Sequence, residues 1–179
     1  IIKANQHINL SSYDEVEKIN TFSDDSFKKY CEEKLDSCSK HVQFIHKHCI
    51  KNNSLWSGKV CEIGSGNSKL LYSLENNNYL NKGIGIEISP SRHEFAEKFK
   101  EYVNSKKVTN VNENIFNYKH LYDFDLVIGV DIVLQLIAPI YRNSEKFIFD
   151  WIKQSLKGKG YLLLELWDFE HILKQIELF

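Results

Sequence analysis

Methionine is absent from all 179 residues, the initiator included, which reads either as a piece of a longer chain or as a chain missing its methionines. An excess of charge is missing too: 23 basic side chains face 24 acidic ones, so no overall field draws in nucleic acid or an anionic membrane. No apolar run approaches the roughly 18 residues that a membrane-spanning helix needs, and no apolar stretch with a small-residue cleavage site follows Ile1. These absences place the chain in the cytoplasm, with no nucleic-acid and no membrane partner. CxxC spacing is lacking as well. Cys31, Cys38, Cys49 and Cys61 therefore read as small buried thiols rather than as a disulfide or zinc set. His41, His46 and His48 contain no i, i+4 pair, so no helical metal site is expected, and they read as solvated.

What is present is ordinary for one globular domain. Hydrophobic residues make up 42% and charged residues 26%, and a chain of this length buries about two-thirds of its unfolded surface. Phe27, Cys31, Leu35, Cys38, Val42, Ile45 and Cys49 recur at steps of four and three, the mark of one amphipathic helix, which Asp24, Asp25 or Ser26 can cap. After Trp56 the pattern changes to short apolar runs at 60–63, 83–88, 108–111, 126–130 and 161–166. Between them lie helical stretches at 68–74, 90–103, 116–122 and 141–156. That alternation predicts an α/β fold: a doubly wound, Rossmann-like, mostly parallel sheet with helices on both faces, preceded by an N-terminal helical segment. The division expected is a helical lid over 1–55 and a core over 56–179.

Two strand ends carry the chemistry. Lys59-Val-Cys-Glu-Ile-Gly-Ser-Gly66 runs an apolar strand through an acid, Glu62, into Gly-x-Gly, and Gly83-Ile-Gly-Ile-Glu87 ends the next strand on a second acid. A strand, glycine turn and helix let backbone approach a ligand closely, and a carboxylate on the neighbouring strand tip can take both hydroxyls of a ribose. Ser89 as cap and Pro90 at the first helical position hold Glu87 at its strand end. Glu62, Gly64, Gly66 and Glu87 should thus converge on the crevice at the carboxyl ends of the strands, and the ligand expected there is a nucleoside.

Taken in order, these motifs resemble those of the class I S-adenosylmethionine (SAM)-dependent methyltransferases. Glu62-Ile-Gly64-Ser65-Gly66 is similar to the family's first motif, and Glu87 to the acid of its second. Phe124-Asp-Leu-Val-Ile-Gly-Val-Asp131 and the stretch from Leu156 to Glu165 resemble its fourth and fifth strands, over roughly residues 56–170. The resemblance implies SAM as cofactor, with Gly64, Ser65 and Gly66 passing close to its methionine part and Glu62 holding the amino group. It also implies Glu87 on the ribose hydroxyls, Ile88 on the adenine, Asn114 accepting from the adenine amino group and Ile115 giving a backbone contact. Asp131 would face the methionine and substrate end and orient or deprotonate the acceptor; otherwise it caps a helix. His171 ranks behind it as a catalytic candidate and otherwise lies on the surface. The acceptor implied is a small molecule, a sugar or another metabolite, methylated on O or N. Trp56, Tyr141 and Trp167 either line its pocket or belong to the core.

The chain departs from the family in three places. Ser68 stands where a third glycine is usual, Gln135 where many relatives carry a histidine, and the last two strands are not evident before Phe179. Two rivals stay open. An NAD-dependent oxidoreductase would use the same turn, but its fingerprint wants a glycine where Lys69 stands and gives no reason for Glu62. A non-catalytic SAM-binding protein would use the same residues.

Overall fold

The computed structural model describes residues 23–119, 123–130 and 144–165, the last stretch with side chains from Phe147 onward. Five strands, β1 (Lys59–Ile63), β2 (Lys82–Glu87), β3 (Val108–Asn112), β4 (Phe124–Val130) and β5 (Leu156–Glu165), form one sheet in the order β3-β2-β1-β4-β5. Every pairing between neighbours is parallel. All five expected strands are present. β5 starts earlier than its apolar run, because Leu156 already pairs with Phe124 across an irregularity, ahead of the Tyr161 to Leu126 register.

β1, β2 and β4 are buried over nearly their whole length, as strands covered on both faces must be. Successive residues of β1 serve opposite faces. Val60 joins Leu70, Leu71 and Leu74 of α3 (Lys69–Asn76) and Phe95 and Phe99 of α4 (Pro90–Val103). Cys61 and Ile63 instead pack on Ile148, Trp151 and Ile152 of α5 (Ser144–Ser155). Strand order reverses between β1 and β4, which opens the crevice at their carboxyl ends. No helix among the described residues is long and apolar enough to cross a membrane.

The N-terminal stripe is helical but interrupted. α1 (Asp24–Ser37) is capped by Ser23, whose Oγ accepts from Ser26 N at 3.3 Å, rather than by Asp24, Asp25 or Ser26. The helix gives way at Cys38 to α2 (Ser39–Ile45) and then to a π-helical turn, His46–Ile50, closed by Lys51 N on His46 O at 2.8 Å. Cys31, Cys38, Val42, Ile45 and Cys49 are all buried in one core cluster with residues of the sheet across these interruptions. All four cysteines are free, buried thiols. Of the histidines, His48 is exposed beside Phe44, as expected, whereas His41 and His46 are half-buried: His41 Nε2 lies 2.8 Å from Glu165 Oε2 and His46 stacks on Tyr79 with ring centres 5.0 Å apart.

One further expectation is corrected. Residues 115–117 form a turn where a helix over 116–122 was expected. Asn114 Oδ1 accepts from Phe116 N at 3.0 Å in the manner of a cap, and Asn114 O accepts from Asn117 N at 2.8 Å and Tyr118 N at 3.2 Å, but the single turn so begun does not continue through 118–119; residues 120–122 lie outside the described set. Trp56 stands at the amino edge of the sheet, just before β1, donating from Nε1 to Tyr79 O at 3.0 Å. It packs against the core, the second of the two readings given for it. Tyr141, Gln135 and Trp167 lie outside the described residues.

Candidate functional site

The chain leaves β1 through three left-handed residues, Gly64 at φ 66°, Gly66 at φ 56° and Ser68 at φ 56°. Glycine takes this conformation freely, whereas serine there costs about 1–2 kcal/mol. The bend is tied to β2 by Gly64 N and Ser65 N, both donating to Ile86 O at 2.8 and 3.1 Å. Glu87 completes the attachment. One carboxylate oxygen accepts from Gly66 N at 2.8 Å and the other from Ser89 N at 2.8 Å, so this buried side chain joins the glycine bend to the start of α4. Each oxygen keeps a further lone pair for a ligand hydroxyl. Asn112 Nδ2 fastens the strand tip from β3 by donating to Glu87 O and Ile88 O, at 2.9 and 3.2 Å.

The carboxyl ends of β1, β2 and β3 thereby bring Glu62, Gly64, Ser65, Gly66, Glu87, Ile88, Asn114 and Ile115 to one edge of the sheet. Asn114 and Ile115 are buried just past β3, with Asn114 Oδ1 already accepting from Phe116 N. Asp131 and His171 lie outside the described residues.

Glu62 is the anomaly. It is 6% exposed, and its Oε2 is buried with no hydrogen-bond partner. Burial pushes its carboxyl up to about 8, Lys69 opposes that rise and Glu87 adds to it. Ser65 Oγ, in the bend itself, is likewise buried and unpartnered. Folding rarely leaves buried polar side-chain atoms unmatched, and two such atoms lie together at this strand end.

Motif reading missed two supports of this site. Ser68 Oγ donates to Asn110 Oδ1 at 2.7 Å, offsetting its left-handed backbone. Asn110 Nδ2 in turn donates to Tyr72 Oη and Glu97 Oε1, at 2.8 and 2.7 Å, and Tyr72 donates to Ala96 O at 2.7 Å. β3, α3 and α4 are locked together under the bend. The second support is Gly85, for a Cβ there would lie 2.6 Å from Ser68 Oγ and 2.7 Å from Ser65 Oγ. The signal was available: glycine inside a strand marks close approach by another segment. Gly85→Ala is expected to destabilise the protein by about 1–3 kcal/mol in urea unfolding, since both serines sit in a tied bend that cannot retreat. A change below about 0.5 kcal/mol would mean the bend yields freely.

No protein-family model matches the chain, and no curated protein matches it in sequence. Solved structures do resemble it. An S-adenosylmethionine-dependent methyltransferase from Clostridium acetobutylicum is 20% identical over 69% of this chain and 48% of its own length, with a TM-score of 0.59. Coclaurine N-methyltransferase, bound to N-methylheliamine and SAH, is 14% identical over 70% of this chain and 34% of its own, at 0.55. A glycopeptide N-methyltransferase complexed with sinefungin is 15% identical over 69% of this chain and 51% of its own, at 0.54. The chain thus spans about half or less of the length of these structures, and the likeness is one of fold.

Proposed function

We propose that this chain, whose fold is that of the class I SAM-dependent methyltransferases, binds SAM at the carboxyl edge of β1, β2 and β3 and transfers its methyl group to a small-molecule O or N nucleophile. The observation that carries the reading is the buried, unpartnered Oε2 of Glu62 beside a glycine bend pinned by Glu87. A cation with N–H donors is what such an oxygen lacks, and the methionine ammonium is one. The residues present therefore fit the cofactor.

In this reading Glu62 accepts from the ammonium, the remaining lone pairs of Glu87 accept from the ribose hydroxyls, and Ile88 and Ile115 flank the adenine. Asn114 uses its second lone pair toward the adenine amino group. The bend of Gly64, Ser65 and Gly66 lets backbone run against the ligand without an intervening side chain. SAM supplies a methyl group already activated on a sulfonium. The protein's task is then to hold donor and acceptor in line and to exclude water. Asp131 and His171 stand as the acceptor-side proposals, Asp131 first, to orient the nucleophile or take its proton. Residues 1–55 would close over the site as a cap on the core at 56–179. The small-molecule acceptor draws support from the absence of a net basic charge and from solved relatives such as coclaurine N-methyltransferase. A cytoplasmic location belongs to the same reading.

Calorimetric titration of the chain with SAM and with NAD tests the cofactor. The expected result is a saturable isotherm with SAM and none with NAD. Binding of NAD alone would reject the assignment in favour of an oxidoreductase. Methyl transfer to a panel of small hydroxyl and amine compounds then separates a catalyst from a SAM-binding protein without activity.

A further inference from the structure

Ser68 holds a conformation that its side chain disfavours. At φ 56° a serine is about 5- to 30-fold less populated than in the right-handed region. Its backbone is shared between two structures: Ser68 N closes the bend by donating to Ser65 O at 2.8 Å, and Ser68 O opens α3 by accepting from Tyr72 N at 3.1 Å. Any relaxation at Ser68 therefore moves both. The residue is fully buried, and its Oγ donates to Asn110 Oδ1 at 2.7 Å. Room for that bond exists because β3 sets Asn110 opposite Gly85 of β2, which has no side chain to block the hydroxyl.

The direction of the bond is fixed from its far side. Tyr72 spends its one proton on Ala96 O at 2.7 Å, so toward Asn110 Nδ2, 2.8 Å away, its oxygen can only accept. Glu97 Oε1, 2.7 Å from the same nitrogen, accepts as well. Both protons of the amide are thereby used, and its oxygen is turned to Ser68. An aspartate at this place would have no proton for either neighbour. An apolar side chain would offer no acceptor to the buried hydroxyl.

We infer that Asn110 is a positioning residue for the ligand bend: from two strands away it holds Ser68 left-handed, where a third glycine would need no holding. On the SAM reading, on which this role in binding rests, only chains with the bend in place are competent to bind. Loss of the tether lets Ser68 leave the left-handed state, and apparent affinity falls with the competent fraction. Asn110 should accordingly matter to the ligand only while residue 68 carries a side chain.

The test is a double-mutant cycle on the full chain, with Asn110→Leu, Ser68→Gly and the two combined, titrated with SAM by calorimetry. Asn110→Leu is expected to weaken SAM about 3- to 10-fold, the range for one hydrogen bond, and to change it by less than about twofold in the Ser68→Gly background. Equal loss in both backgrounds would give Asn110 a general part in holding α4 and overturn the inference, as would no loss in either. If Asn110→Leu does not fold, Ser68→Ala removes the same bond and leaves Asn110 its bonds to Tyr72 and Glu97. It should then lose the same 3- to 10-fold, and undiminished affinity would overturn the inference. Amide hydrogen exchange of the ligand-free proteins reads the tether without SAM. Exchange at Gly66 and Ser68 is expected to rise about 3- to 10-fold in Asn110→Leu, or in Ser68→Ala, and unchanged exchange would remove the tether. If the unaltered chain binds no SAM, the cofactor reading fails, and the exchange result alone decides whether Asn110 holds the bend.

Discussion

Glu62→Gln is expected to make the ligand-free protein more stable in alkaline solution, to leave it little changed in acid, and to weaken SAM by about 10- to 100-fold. In the folded protein burial holds the Glu62 carboxyl protonated up to about 8, Lys69 opposing and Glu87 reinforcing, whereas in the unfolded chain it ionises near 4.5. Between those values the unfolded state has lost the proton and the folded state keeps it, so stability falls as pH rises through the window. Above it both forms are ionised and the penalty is complete. At about 1.4 kcal/mol per unit, the shift corresponds to up to about 5 kcal/mol. Glutamine has no such titration. Its amide is desolvated equally at every pH, so the gap between variant and parent should open from about pH 4.5 and widen to a plateau near pH 8. Urea unfolding of both proteins across that range measures it. A gap that does not change with pH would show that Glu62 is not held protonated by its surroundings. The same coupling implies that a cationic ligand binds with loss of the Glu62 proton and gains affinity as pH rises toward the plateau.

Asp125→Ala is expected to remove about 3–5 kcal/mol of stability, the usual range when one member of a buried ion pair is deleted. Asp125, fully buried in β4, accepts from Ser57 N, Ser57 Oγ and Lys59 N, at 3.1, 2.7 and 2.8 Å to Oδ2, and it pairs with Lys157. One carboxylate thus fastens the approach to β1, the first residues of β4 and the start of β5, where Lys157 also donates to Leu55 O. Removal strands several donors and a partly buried cation at once. Lys157→Met is expected to cost less, because its carboxylate partner keeps three donors. Urea unfolding gives both values, and a loss under about 1 kcal/mol for Asp125→Ala would show that water replaces the clamp. The cluster sits at the amino edge of the sheet, opposite the crevice, so SAM affinity of the folded fraction should be unaffected.

Periodicity and punctuation were enough for the architecture. Apolar runs of strand length marked all five strands, and Ser89-Pro90 marked the start of α4, which spans Pro90–Val103. Acids standing next to glycine at the ends of two such runs placed Glu62 and Glu87 at one edge, because parallel strands align their carboxyl ends. These are properties of neighbouring residues, and a backbone responds to them locally. The position of Trp56 and the need for glycine at 85 depended on which remote segment arrives beside each residue. So did the contrast between the two acids. Glu87 has backbone N–H groups from the bend and from α4 on its oxygens, while Glu62, one strand away, was left without a donor on one of its own. Burial and partner count are set by chain segments that meet only in the folded state, and no local pattern of residues reports either.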